Sequence, residues 1–228
     1  MIEYEALNEI QREVAARVIL KDRFPALKLI GGVDQAFFNS KIISCIAVLD
    51  YESLEIKTRS MAIDEIKFPY LPGYLFFREG LAIIKAFSRL EIKPDILIVD
   101  GCGINHPRKA GLASHVGVEL DISAIGVSKS LLCGEIQSKP QREGEFKFIM
   151  QEGRKTAVLL LSKSNCRPIV VAPGHKISLK SAVKIVKHCL RGHKLPEPLR
   201  LAHLFANEAK SFENEKSKSK SKTYLNIK

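Results

Sequence analysis

Hydrophobic and polar positions follow two rhythms along this chain. Residues 5–21 (EALNEIQREVAARVILK) place Ile10, Val14, Ala15 and Val18 at helical spacing among good helix formers, which predicts an amphipathic helix. Three β-branched stretches follow, LKLIGGVDQAFF, KIISCIAVLD and LEIKTRSMAI, separated by short polar breaks. They predict an antiparallel meander. A proline-punctuated loop, FPYLPG, leads to FREGLAIIKAFSRLE, where Leu81, Ile84, Phe87 and Leu90 recur at helical spacing. From Asp95 the order changes to strand, loop, helix. DILIVD is a continuous apolar run, as a strand covered on both faces requires. GLASHVGVEL predicts a short helix. SAIGVSK, TAVLLLSK and PIVVAP predict strands, expected to run parallel. SLKSAVKIVKHCLR predicts a helix with Ser178 at its N-cap, and LPEPLRLAHLFANEAK a last one. No internal repeat is present. The whole reads as an α/β protein with a mixed sheet and helices on both faces.

Composition sets the bounds. The 228 residues are 46% hydrophobic, enough for a substantial core. Residues 1–210 are expected to form a single domain. Residues 211–228 hold five lysines against two glutamates, with the low-complexity run KSKSKSK, and are expected to be a disordered basic tail. That tail accounts for +3 of the net charge of +11, so a basic folded surface remains. Such a surface favours polyanionic partners. The five cysteines are widely spaced, odd in number and form no C-x-x-C pair, which argues against a disulfide framework or a cysteine zinc site. No run is long and apolar enough for a membrane span, and the first residues lack a signal peptide's order. A soluble, reduced, cytoplasmic and monomeric protein is expected.

Polar residues close several apolar strands. Asp100 ends ILIV, Lys129 ends AIGVS, His175 follows VVAPG, and Asp34 follows LIGGV. In open α/β sheets ligands bind beyond the carboxyl ends of parallel strands. Two strand-borne aspartates close in space repel unless a cation or proton sits between them, and their hard oxygens suit Mg²⁺ or Mn²⁺. A single Asp-Gly is better explained as turn chemistry. Two such positions on a basic chain weaken that explanation without removing it. Glu79, at the start of a helix, reads most simply as a carboxylate favoured by the helix dipole, and otherwise as a third metal-associated acid. Tyr70 stands between Pro69 and Pro72, with Gly73 behind. A stiff loop carrying an aromatic can wedge into a duplex, although an isolated tyrosine more often packs onto the core. Histidines 115, 188, 193 and 203 read as structural hydrogen-bonding groups. GCGINHPRKAG lacks the third glycine of a dinucleotide loop, and neither a Walker motif nor a G-x-S-x-G elbow occurs.

Several stretches together resemble one family. GGVDQAFF, FPYLPGYLFFRE, PDILIVDGCGINHPRKAGLASHVG, AIGVSKSLLCG, APGHKIS and LPEPLRLAH occur in the order found in endonuclease V, the deoxyinosine 3′ endonuclease, over about residues 25–206. The resemblance implies a ribonuclease H-like fold. It implies Mg²⁺- or Mn²⁺-dependent cleavage of DNA at the second phosphodiester bond 3′ of a deaminated adenine. Asp34 and Asp100 match the family's metal-binding aspartates, and Glu79 its third acid, which holds metal through water. Lys129 matches a lysine near the scissile phosphate, His175 a histidine at the metal centre, and Tyr70 the wedge residue. His106 falls in the loop near the lesion. Backbone groups around Pro72, Gly73 and Gly101 to Gly103 are expected to read the base. Inosine-containing single-stranded RNA is the alternative substrate. A non-catalytic nucleic-acid-binding protein is the rival of a different class.

Overall fold

A computed structural model of the chain describes residues 3–225, with side chains through residue 216. Helix α1 (Tyr4–Arg17) precedes three long strands, β1 (Leu29–Phe38), β2 (Lys41–Asp50) and β3 (Ile56–Glu65). Helix α2 (Leu75–Ser88), strand β4 (Ile96–Asp100), helix α3 (Leu112–Glu119) and strand β5 (Ser123–Ser128) come next. The chain ends with β6 (Phe146–Gln151), β7 (Arg154–Leu160), β8 (Ile169–His175), α4 (Leu179–His188) and α5 (Glu197–Leu225). Among the described residues the strands form one sheet in the order β3-β2-β1-β4-β5-β8-β7-β6.

The meander read from the sequence is present, with β1 antiparallel to β2 and β2 to β3. Only β1, β4 and β5 run parallel. Strand β8 returns antiparallel to β5, and β7 and β6 continue antiparallel, where parallel strands were expected. The expected order lacked β6. Its segment FKFIMQ carries a lysine and a glutamine, and only Ile149 is fully buried, so its apolar signal is weak.

The unbroken apolar run of β4 is explained by burial on both sides. Ile96 and Ile98 face α4 and α5, while Leu97 and Val99 face α2 and α3. Burying each such side chain contributes about 1.5–3 kcal/mol, so this short strand is firmly fixed. Ser178 caps α4 as expected, its hydroxyl accepting from the Ser181 N–H at 3.2 Å.

Two helices bury a different stripe from the one their apolar spacing suggested. In α2 the buried residues are Glu79, Gly80, Ala82, Ile83 and Ala86, and Leu81 is 59% exposed. In α1 they are Gln11 and Val14, with Ile10 turned outward. Both departures place a polar side chain where an apolar one was expected. Helix α5 runs on to Leu225, past the helix read at 195–210 and through the segment read as a disordered tail; the side chains after 216 lie outside the described residues.

Candidate active site

Parallel pairing of β1 with β4 sets Val33 opposite Val99 and Gly32 opposite Ile98, so Asp34 and Asp100 come next on the same face. Neighbouring strands lie only about 4.8 Å apart. Two carboxylates are thus held side by side by backbone register alone. Helix α5 reaches this spot because Gly32 has no side chain: a Cβ there would sit 2.2 Å from the carbonyl of Pro198. Close packing at Gly32 brings the next turn of α5, with His203, against Asp34.

Asp34 is buried. Its Oδ1 accepts from the Gln35 N–H at 2.7 Å, and its Oδ2 lies 2.6 Å from His203 Nδ1. Asn207 Nδ2 stands 3.1 Å from His203 Nε2, placed to donate to it, so the neutral ring carries its proton toward Asp34. Burial, and then the charge of Asp100, push the Asp34 carboxyl up to about 6, against the pull of Gln35, His203 and Lys129. Glu79 is 5% exposed, and burial followed by Asp100 pushes it up to about 8. Lys129 donates to Asp100 Oδ2 at 2.7 Å. Burial works to lower the ammonium's pKa, but the charge and hydrogen bond of Asp100 outweigh it, and the net shift is upward.

The charge of Asp100 adds to burial in raising both Asp34 and Glu79, and Lys129 offsets only part of it. Among the described residues no group of three or more His, Cys, Asp or Glu side chains converges closely enough to hold an ion as placed. The donor chemistry nonetheless fits a hard divalent cation. Asp34 and Asp100 present carboxylate oxygens, and their mutual repulsion with Glu79 is what a bound cation relieves.

A cavity of about 410 Å³ opens beside Asp100 and Lys129. Tyr70, Pro72, Gly73, Gly101 and His106 line it, so five of the residues expected to contact substrate share one wall system with the carboxylate end of β4. Tyr70 is 67% exposed, which excludes the alternative that it packs on the core. Gly103 is buried beyond the cavity, its N–H donating to Asn105 Oδ1 at 3.0 Å. His106 faces the loop: its Nδ1 accepts from the Arg108 N–H, so Nε2 carries the proton and donates to the Gly73 carbonyl at 2.9 Å. Burial pushes this imidazole down to about 4, which keeps it neutral.

His175 is not brought to this site. It pairs with Ala124 near the start of β5, whereas Asp100 pairs with Val127. Three residues of strand separate those levels, roughly 10 Å. There His175 Nδ1 accepts from the Ile19 N–H, and its Nε2 lies 3.9 Å from Asp121. The expectation failed because β8 is antiparallel: its C-terminal end lies at the opposite edge from the C-terminal ends of β4 and β5. The histidine beside the aspartates is His203, read from the sequence as merely structural. It lies four residues after buried Leu199 and three before buried Ala206, on the helix face that meets β1, a placement that only the packing of α5 reveals.

Comparison with known proteins decides the family. A model of the Endonuclease V family matches residues 12–204. The chain belongs to the endonuclease V family. It is 42% identical over 203 residues to the Endonuclease V of Dictyoglomus turgidum, covering 89% of each chain. The solved structure of the Bacillus subtilis Endonuclease V superposes with a TM-score of 0.89 at 26% identity, covering 95% of each chain. Endonuclease V of Ciona intestinalis, solved in complex with a 24mer DNA containing an inosine followed by a ribo-adenosine, superposes with a TM-score of 0.80 at 26% identity, covering 91% of this chain and 97% of its own. As a member of the endonuclease V family, the chain is a nuclease. No helix among the described residues is long and apolar enough to cross a membrane.

Proposed function

We propose that this chain is a Mg²⁺-dependent endonuclease, with Mn²⁺ able to substitute. It recognises hypoxanthine in DNA and cuts the second phosphodiester bond 3′ to the deoxyinosine, which initiates repair. One observation carries this reading: Asp100, set beside Asp34 by strand register and bonded to Lys129, lines the cavity bordered by Tyr70 and Gly73. Asp34 and Asp100 would hold the cation, and Glu79 would support it through water. When bound, the cation supplies an activated water and charge stabilisation at the leaving oxygen.

The remaining roles fall to the chain's own groups. Lys129, tied to Asp100, offers its ammonium to the scissile phosphate. His203 orients Asp34 through Nδ1 and fills the role that the family resemblance implies for His175. Tyr70, exposed on a proline-stiffened loop, fills the stack vacated by the everted base. Eversion costs a few kcal/mol and is cheapest at a mismatched pair, which helps select the lesion. The cavity beside Asp100 takes the base, read by backbone at Gly73 and Gly101. All these groups lie on one chain, so a monomer suffices.

A second substrate, inosine in single-stranded RNA, is favoured by one specific observation. The Ciona relative is bound to DNA in which a ribo-adenosine follows the inosine, so a ribose next to the lesion is accommodated there. The test is a labelled oligonucleotide with a single inosine, in DNA and RNA forms, with Mg²⁺ or EDTA, for wild type and Asp100→Ala. The expected outcome is a metal-dependent cut one nucleotide beyond the lesion that the variant does not make. The DNA-to-RNA rate ratio selects the substrate. Retained binding with no cleavage of either form would replace the enzyme by a binding protein.

A further inference from the structure

Helix α1 is joined to the cavity by side chains that the proposed reaction does not use. Tyr4, Asn8 and Gln11 are spaced i, i+4 and i+7, which puts them on one face of α1. Each meets the segment Leu71–Tyr74 or its neighbour Arg108. Gln11 is 1% exposed, and its Nε2 donates to the Gly73 carbonyl at 2.9 Å. Its Oε1 accepts from Arg108 Nε. Asn8 Oδ1 accepts from the Tyr74 hydroxyl at 2.8 Å, and Tyr4 packs edge-on against the Tyr74 ring. The Arg108 guanidinium lies over that same ring, 4.5 Å from its centroid.

The Gly73 carbonyl is thereby a hub. It accepts from Gln11 Nε2, from His106 Nε2 at 2.9 Å and from Arg108 Nη2 at 3.0 Å. Three donors on one carbonyl exceed what satisfying a buried oxygen requires. They fix the orientation of a peptide plane. The turn itself is of the Pro-Gly type: the Tyr74 N–H donates to the Leu71 carbonyl at 3.0 Å, and Gly73 has φ +81°. At the other end of the loop Arg78 donates to the Phe68 carbonyl at 2.8 Å. Tyr70 projects into solvent between two tethered ends.

We propose that Gln11 is a positioning residue: by holding the Gly73 carbonyl together with His106 and Arg108, it sets the wedge loop and so the discrimination of the lesion base. This inference rests on the proposed function for its consequence, although not for the clamp itself. Gln11 touches no reacting atom. It acts through Gly73 and Tyr70, and small misplacements of such groups are magnified in the rate.

The test has an arm independent of cleavage. The chain contains no tryptophan, so Tyr70→Trp installs a single reporter at the loop tip. Time-resolved anisotropy is compared in that background with Gln11 intact, Gln11→Ala and Gln11→Glu. Gln11→Glu is the sharper variant, because its carboxylate keeps an acceptor for Arg108 but has no donor for Gly73. Wider and faster loop motion in Gln11→Glu, at an unchanged melting temperature, is the expected result. In the otherwise native chain, Gln11→Glu is expected to cut the kcat/KM preference for inosine over guanosine at the same position by about tenfold or more. The effect should fall on KM for duplex substrate far more than on kcat. Unchanged anisotropy in Gln11→Glu, or unchanged preference with active enzyme, overturns the proposal. A wild type that cuts no inosine substrate would instead sink the proposed function, and the anisotropy arm would still decide the clamp.

Discussion

The two sides of the cavity are built on opposite electrostatic terms. On one side, burial and the charge of Asp100 together raise the cost of ionising Asp34 and Glu79. On the other, the Gly73 carbonyl has three donors, and the groups around it are hydrogen-bonded to one another with no acid among them. The first side gathers three carboxylates around one ammonium, that of Lys129. The second is complete before any ligand binds. A site that must bind a cation and a phosphate keeps its charge cost where the ligand relieves it, and keeps its recognition loop rigid at no such cost. The comparison also predicts opposite responses to pH.

The largest expected effect breaks the acidic side. Asp34→Asn removes one of the paired charges and changes almost no volume. Loss of a cation-holding carboxylate is expected to cost roughly 10³-fold or more in cleavage, equivalent to about 4 kcal/mol of transition-state stabilisation. Folding stability in EDTA should stay level or rise, because a buried repulsion is removed. Cleavage kinetics and urea unfolding on the same preparation check both halves. A variant that loses activity and stability together would mean that Asp34 is mainly structural, held by His203 and Gln35.

What could be read in the sequence divides along the same line. The strand ends were legible because apolar runs stop abruptly at Asp34, Asp100 and Lys129, and burial pattern alone fixes a rim position. The wedge loop was legible because prolines and a glycine declare a stiff turn around Tyr70. His203 was not, because one histidine in a helix carries no periodic signal until the packing of α5 on Gly32 is known. His175 was misplaced because strand direction is invisible in an apolar run: PIVVAP reads the same whether β8 is parallel or antiparallel. Gln11 was hidden, and Glu79 was singled out chiefly by the family resemblance. Each is a polar residue on the buried face of a helix, which local patterning counts as an interruption and tertiary structure reveals as a contact.

An intermediate effect sharpens the comparison through Glu79. Its carboxyl is raised from 4.5 to about 8, so the folded chain holds a proton there that the unfolded chain has lost. That contribution to stability is complete below about pH 4.5 and disappears as pH rises through about 8. The full swing is roughly 3–5 kcal/mol, and Asp34, raised toward 6, adds in the same direction. Glu79→Gln mimics the protonated acid at every pH. In metal-free urea titrations it is expected to match wild type near pH 5 and to exceed it by a few kcal/mol at pH 8.5, while cleavage falls. Equal stability of the two proteins at pH 8.5 would show that ionising Glu79 costs the fold nothing, either through burial or through its acidic neighbours.

The smallest effect comes from the other side and has the opposite sign. His115 stacks on Phe76 with ring centroids 3.4 Å apart, and its Nδ1 has no hydrogen-bond partner. Burial, then Arg17 and His106, push its imidazole down to about 4. The unfolded chain therefore binds a proton that the folded chain refuses between about pH 6.5 and 4. Stability is intact above 6.5 and drains away as pH falls through 4, by roughly 3 kcal/mol for this one group. His115→Phe keeps the stacked ring and removes the titration. The variant should lose less stability than wild type between pH 6.5 and 4.5, with the remaining slope carried by His106, which titrates in the same window. In wild type this acid-side loss opposes the gain from Glu79 and Asp34, so the pH profile should be flatter than either region alone would give. Combining Glu79→Gln with His115→Phe separates the two. If the slopes add, the regions are independent neighbours of one cavity; if they do not, protonation on one side is felt on the other through the helix that carries both Phe76 and Glu79.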